Sequence, residues 1–265
     1  MNASMKSPLS QTRQCLRPLR IHQLRWQRRL HDRRSGVRFA QGQDSSPLPV
    51  RLTHHKSLLL RRLGDTDPQL QRNKVVNLAL AIPGLNGLQI QPGETLSLWR
   101  RIGRATASKG YLAGVQLSQG RVTVGIGGGL CQLANLIHWM ALHTPLELIE
   151  RHHHSFDPFP DEGRVLPFGS GASLFYNYVD LRFRNPTDQP MQLLVWLDTN
   201  HLCGEIRTLE PPPLAYHVVE KDHRYEQEGE LRFRCNTIWQ RQIDRRSGQL
   251  VHERCLYANR SRVMY

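Results

Sequence analysis

The sequence predicts an α+β fold in which an antiparallel sheet packs on a nucleophile-type helix that follows a glycine-rich loop. Three observations predict it. Apolar residues recur with a helical period after Gly125–Gly129, as Leu130, Leu133, Leu136, Ile137, Met140 and Ala141. From Leu88 onward, short apolar runs are separated by turn dipeptides such as Pro92-Gly93, Asn185-Pro186 and Thr199-Asn200, the pattern of strands. Strands and helices do not alternate regularly and no repeat is visible, which favours an antiparallel sheet over a doubly wound one.

The elements follow in order. Residues 1–45 are rich in Arg and Gln with too few apolar residues for a core, and read as a basic, flexible arm. Residues 46–87 read as a helical lead-in of two short helices divided near Gly64–Pro68. The second runs Pro68 to Ala81 and is stopped by Pro83-Gly84. The core spans 88–210: strands at Leu88–Ile90 and Thr95–Leu98, a hairpin from Val115–Leu117 and Val122–Val124, the glycine loop and its helix. Further strands are expected at Leu146–His154, Asp180–Arg184, Gln192–Leu197 and Leu202–Ile206. The tail, 211–265, opens on three prolines and reads as a small β-rich extension.

Charge and cysteine usage narrow the function classes. The formal net charge is +14, and residues 1–62 carry 14 Lys+Arg against Asp32 and Asp44. The arm is therefore a surface for anionic partners such as a membrane. The remaining residues are nearly balanced and hold neither a recognition motif nor an aromatic stacking platform, so nucleic acid is not the expected partner. Five cysteines with no CxxC pair fit reduced thiols rather than a disulfide framework. No secretory h-region follows the basic N-terminus, and no apolar run approaches the roughly 20 residues of a membrane span, so the expected location is cytoplasmic, peripheral to the membrane at most.

The chemistry concentrates in Gly125-Ile-Gly-Gly-Gly-Leu-Cys131-Gln132. Cys131 opens the helix, where free amides and the helix dipole favour a thiolate and predict a lowered pKa. Asn135 and His138 share its face, at i+4 and i+7. A thiolate nucleophile needs a base and a group to orient it. Glu150-Arg-His-His-His154 supplies imidazoles, with His152 and His154 on one face of a strand. Asp180 opens the next run. Cysteine on a helix, histidine on a strand and aspartate on a later strand is the order of papain- and transglutaminase-like cores. Two other readings stand beside this one. The glycine loop and Arg151 can grip a carboxylate or phosphate without catalysis. His152, His154 and Cys131 also invite a metal, but no further ligand sits at the right spacing, so no metal and no cofactor is expected.

Over residues 72–207 the blocks resemble the VanW family. They are Pro92-Gly93-Glu94 with Ser97, then Gly103, Lys109-Gly110-Tyr111, the Gly-Gly-Gly-Leu-Cys-Gln core, and Glu150-Arg151-His152 with His154-Ser155. Pro167-Phe168-Gly169 with Gly171-Ala172 and Asp180-Leu181 leading to Asn185 complete the series. The resemblance implies an accessory role in glycopeptide resistance or cell-wall metabolism. Related exported domains are linked to L,D-transpeptidation with the motif cysteine as nucleophile. Carried over, this implies an acyl-enzyme on Cys131, His154 as base and Asp180 as its orienter. Gly127, Gly128, Gly129, Gln132, Arg151 and His152 would hold the substrate. That substrate would be a peptidoglycan-type stem peptide, and in the cytoplasm a precursor of one.

Overall fold

The computed structural model describes residues 8–60, 66–118, 121–153, 156–157 and 165–265. A basic helix, α1 (Pro8–Arg34), precedes strand β1 (Val50–Leu58) and helix α2 (Pro68–Ala81). Strands β2 (Leu88–Ile90) and β3 (Thr95–Ser97) lead into the short α3 (Leu98–Ile102). The hairpin β4 (Ala113–Ser118) and β5 (Arg121–Ile126) delivers the chain to the glycine loop and to α4 (Cys131–Leu142). Then come β6 (Glu147–Glu150), β7 (Phe156–Asp157), β8 (Arg182–Arg184), β9 (Met191–Leu197) and β10 (His201–Thr208). A long meander, β11 (Leu214–Glu228), β12 (Leu231–Asp244) and β13 (Leu250–Val263), closes the chain.

One antiparallel sheet has the order β1-β10-β9-β2, and β3-β8-β6 forms a smaller one. The meander makes a third sheet, to which β7 adds in parallel. The apolar stripe of α4 is buried as its period requires, with Leu133, Leu136, Ile137 and Met140 at most 1% exposed. It rests on β10 at Gly204, where a Cβ would stand 2.7 Å from Met140 Cε and 3.0 Å from Leu136 Cδ2. Glycine lets helix and strand meet there. Helix α2 begins where Asp67 accepts from the Gln69 amide and Pro68 presets the first turn.

Three expectations are corrected. The first half of the lead-in is strand β1, paired along β10 from Val50–Thr208 to Leu58–His201, not a helix. The cluster of leucines at 58–60 suggested helix, but the alternation over Val50–Leu58 prevails because β10 offers an open edge. Among the described residues, the stretch expected as a strand from Leu146 is strand only at β6, and Asp180–Arg184 only at β8. Finally, the arm is tied to the body from Arg25 onward. Arg28 grips Glu150 with two bonds of 2.5 and 2.6 Å, Asp32 receives two from Arg182 at 2.7 and 2.8 Å, and Phe39 bridges Thr95. The helix's own contacts are mainly ionic, so hydrophobic periodicity could not reveal them. Residues 44–48 are docked as well: Gln192, fully buried, donates to the carbonyls of Asp44 and Ser46 and accepts from the Leu48 amide.

Candidate functional site

Helix α4 sets Cys131, Asn135 and His138 on one face, as its period predicts. Against that face runs the segment 170–174, and the two are joined rung by rung. The Leu174 amide donates to the Cys131 sulfur, the Ala172 amide to Asn135 Oδ1 at 2.7 Å, and His138 Nδ1 stands 2.8 Å from the Ser170 carbonyl oxygen. The helix steps of four and three residues match two-residue steps along the extended segment. Gly171 allows the close approach, since a Cβ there would lie 3.2 Å from Asn135 Oδ1.

The segment's other side is held as firmly. Ser173 donates to the His152 carbonyl at 2.7 Å, and Arg151 donates to the carbonyls of Gly171 and Gly169. The Arg151 guanidinium also lies 3.8 Å over the Tyr257 ring, which ties the meander to the seam. Arg151 is thus an organiser of the 169–171 backbone. Its predicted substrate-holding groups are occupied by the protein itself.

Electrostatics along the seam differ from the expectation. Burial pushes the Cys131 thiol up, and hydrogen bonds from the Leu174 amide and from its own amide pull it back only in part. The predicted depressed pKa is corrected. The amides and dipole of the first turn act as foreseen, but half-buried Cys131 packs on the core beside Leu174, and desolvation outweighs them. His138 is pulled down to about 3, mainly by burial and next by the Arg151 charge, and is neutral.

The glycine loop is a packing device. Gly127 and Gly129 have φ of +76° and +91°, in the left-handed region. A Cβ on Gly128 would sit 2.1 Å from the Gly114 carbonyl, and one on Gly129 2.2 Å from Lys74 Cγ. Asn77 of α2 locks the loop by donating to the carbonyls of Gly128 and Leu112 at 2.9 and 3.0 Å. The amides of Gly127, Gly128, Gln132 and Leu133 donate to Leu112, Gly125, Gly129 and Leu130 respectively. These four donors are therefore occupied, and the glycines serve close approach to α2 and β4. Gln132 turns away and donates to Ser57 Oγ and the Leu58 carbonyl of β1, both at 2.9 Å.

Asp180 belongs to a different cluster. Its Oδ2 accepts from Ser97 Oγ at 2.5 Å and from Arg182 at 3.0 Å, and its Oδ1 from the amides of Trp99 and Leu181. Burial pushes this carboxyl up against those contacts. With four donors on two oxygens, it caps α3 and anchors Arg182, and among the described residues none of its partners is a histidine. His152 is exposed, 3.0 Å from Glu150 Oε1. Burial raises Glu150, but His152 and Arg28 hold it lower, at about 2. His154 lies outside the described residues.

Two groups of consequence went unread in the sequence, the Leu174 amide and Asp32. The only signal for the first is the small-residue run Gly169-Ser-Gly-Ala172, which permits close packing on a helix. No signal marks the second.

Comparisons with known proteins now bear on this geometry. A family profile described as VanW like protein matches residues 73–207. The chain is 32% identical over 230 residues to the vancomycin B-type resistance protein VanW of Enterococcus faecalis, covering 87% of this chain and 84% of that protein. It is 27% identical over 118 residues to the uncharacterized protein YoaR of Bacillus subtilis, covering 43% of this chain and 36% of that protein. No solved structure matches. The seam and the glycine loop both fall inside the matched region, and the chain belongs to the VanW family.

Proposed function

We propose that this chain serves glycopeptide resistance or cell-wall metabolism as a cysteine-dependent acyl-transfer protein, with Cys131 as the acyl acceptor. One observation carries the reading: Cys131 is the first residue of α4, behind the glycine loop, where first-turn amides and the helix dipole favour negative charge and the Leu174 backbone lies beside the sulfur. Backbone donors in such a place would serve the oxygen of a carbonyl under attack by the sulfur, as an oxyanion hole does. The similarity to a vancomycin-resistance protein supports a peptidoglycan-type stem peptide or its precursor as the substrate.

The raised thiol pKa sets the order of events. The resting thiol is protonated, so a base takes its proton as the sulfur attacks, and His154 is the residue we assign to that role. The C–S bond of a thioester forms, the amide C–N bond breaks, and the proton passes to the departing amine. A second amine then attacks the thioester, and the thiol is regained. Asp180 has no part in this scheme, because its oxygens serve Ser97, Trp99, Leu181 and Arg182.

The test is intact-mass spectrometry after incubation with a tetrapeptide-stem muropeptide. We expect an acyl adduct that maps to Cys131 and is missing in Cys131→Ala. Iodoacetamide labelling of the free protein should give Cys131 an apparent pKa above that of an ordinary thiol. Absence of any adduct, together with full biological function in Cys131→Ala, would falsify the reading.

A further inference from the structure

The β4–β5 hairpin carries an aliphatic face that the fold leaves open. Its register sets Ala113 opposite Ile126, Val115 opposite Val124, and Leu117 opposite Val122. Directly opposed residues of an antiparallel pair share a face, so these six side chains form one apolar surface. Gly114, Gln116, Arg121, Thr123 and Gly125 lie on the other. Val122, Val124 and Ile126 are 39%, 58% and 44% exposed. At the root, Asn73 of α2 donates to the Ala113 carbonyl and fixes the hairpin to the helix. A contiguous patch of this kind marks a surface meant to be covered.

Charge indicates what covers it. From Pro68 to Leu146 the sequence holds a single acid, Glu94, against seven Lys and Arg. Arg72, Arg104, Lys109 and Arg121 are exposed around the hairpin. Arg121 is on the hairpin itself, Arg72 adjoins Asn73 at its root, and Arg104 precedes Ala105, which meets the loop at Gly127. Arg104 also lies close enough to Arg25 of α1 to lower its pKa, after burial the larger cause, which adds the basic helix to the same region. An exposed aliphatic face in a stretch with one acid and seven cations matches an interface of lipid tails and anionic headgroups. A second copy of the chain would bring the same cations together and be repelled.

We propose that the β4–β5 hairpin is a membrane-surface anchor, its aliphatic face entering the interface of an anionic bilayer while the surrounding Arg and Lys meet lipid phosphates. No helix among the described residues is long and apolar enough to cross a membrane, and surface anchoring requires none. The inference is independent of the chemistry at Cys131.

Co-sedimentation of the full chain with vesicles tests it. Binding is expected to vesicles of phosphatidylglycerol and phosphatidylcholine, to weaken with salt, and to be slight with phosphatidylcholine alone. Val124→Glu and Thr123→Glu add the same charge to neighbouring positions on opposite faces. The first should lower partitioning about tenfold or more and the second by about twofold or less, because only the first face enters the bilayer. Val124→Ser, which adds no charge, should lie between them, and circular dichroism should be unchanged in all three. Equal losses for the two Glu variants would overturn the proposal, leaving charge alone. Absence of vesicle binding would overturn it too, as would a dimer that Val124→Glu dissociates, which would assign the face to a second copy.

Discussion

The α4 seam and the Asp180 cluster satisfy their buried polar groups by opposite means. In the seam, Cys131, Asn135 and His138 are neutral and meet backbone groups of segment 170–174. In the cluster, Asp32, Asp180, Glu150, Arg28 and Arg182 meet one another as charges. Neutral rungs position a segment without a large desolvation penalty, whereas a buried charge is tolerable only while every partner is present. The rungs between α4 and the segment are therefore cheaper to part than the ionic cluster, while Arg151 holds the segment's other side as a buried cation.

The sharpest way to break the contrast is Arg182→Met. It leaves Asp180 at 0% exposed and Asp32 at 7% without their principal cation. Loss of one side of such a network costs about 3–5 kcal/mol. Urea unfolding should report that loss, with α1 released from the body as seen by faster proteolysis after Arg25, Arg28 or Arg29. A loss under about 1 kcal/mol would mean the cluster is solvated and braces nothing.

The contrast also explains what was legible. Helix α4 and its buried stripe follow from a period of 3.6, and α2 from Asp67-Pro68 at one end and Pro83-Gly84 at the other. Strands β9 and β10 show in runs such as Leu193-Leu-Val-Trp196. These are local signals. The docking of α1 depends on Arg28 with Glu150 and Asp32 with Arg182, pairs 122 and 150 residues apart in sequence, and no local pattern encodes them. In the site, Cys131, Asn135 and His138 were legible as one face because a helix fixes their spacing. Their partners are main-chain groups of Ser170, Ala172 and Leu174, which carry no side-chain signature. Among the described residues Asp180 caps a helix, and a lone buried acid looks the same in sequence whether it orients a histidine or caps a helix.

A second, smaller perturbation tests whether the glycine loop serves packing. Gly128→Ala places a Cβ 2.1 Å from backbone atoms of Gly114, which cannot rotate away. The expected loss is at the upper end of roughly 1–3 kcal/mol. Gly129→Ala meets the flexible Lys74 side chain but also a φ of +91°, and should be comparable. An unchanged melting temperature for Gly128→Ala would mean that the loop does not pack against the Gly114 backbone.

The smallest effect at neutral pH, and the finest division of the two regions, comes from acid titration. His138 is lowered from 6.5 to about 3, so its contribution to stability is complete above pH 6.5 and is lost as pH falls toward 3. Glu150 is lowered from 4.5 to about 2, so its contribution is complete above pH 4.5 and is lost between there and about 2. Between pH 6.5 and 4.5 the seam should therefore weaken while the ionic cluster holds. His138→Gln should remove about 1–2 kcal/mol at pH 7.5, where it loses the bond to the Ser170 carbonyl. It should also flatten the fall in stability from pH 6.5 to 4.5. The slope will shrink rather than vanish, because burial also lowers His55, His143 and His153. Glu150→Gln should leave that window unchanged and act only below it. Urea midpoints at half-unit pH steps would decide the matter: parallel curves for wild type and His138→Gln above pH 4.5 would mean that the imidazole is not buried neutral on the segment, and that the seam is open at rest.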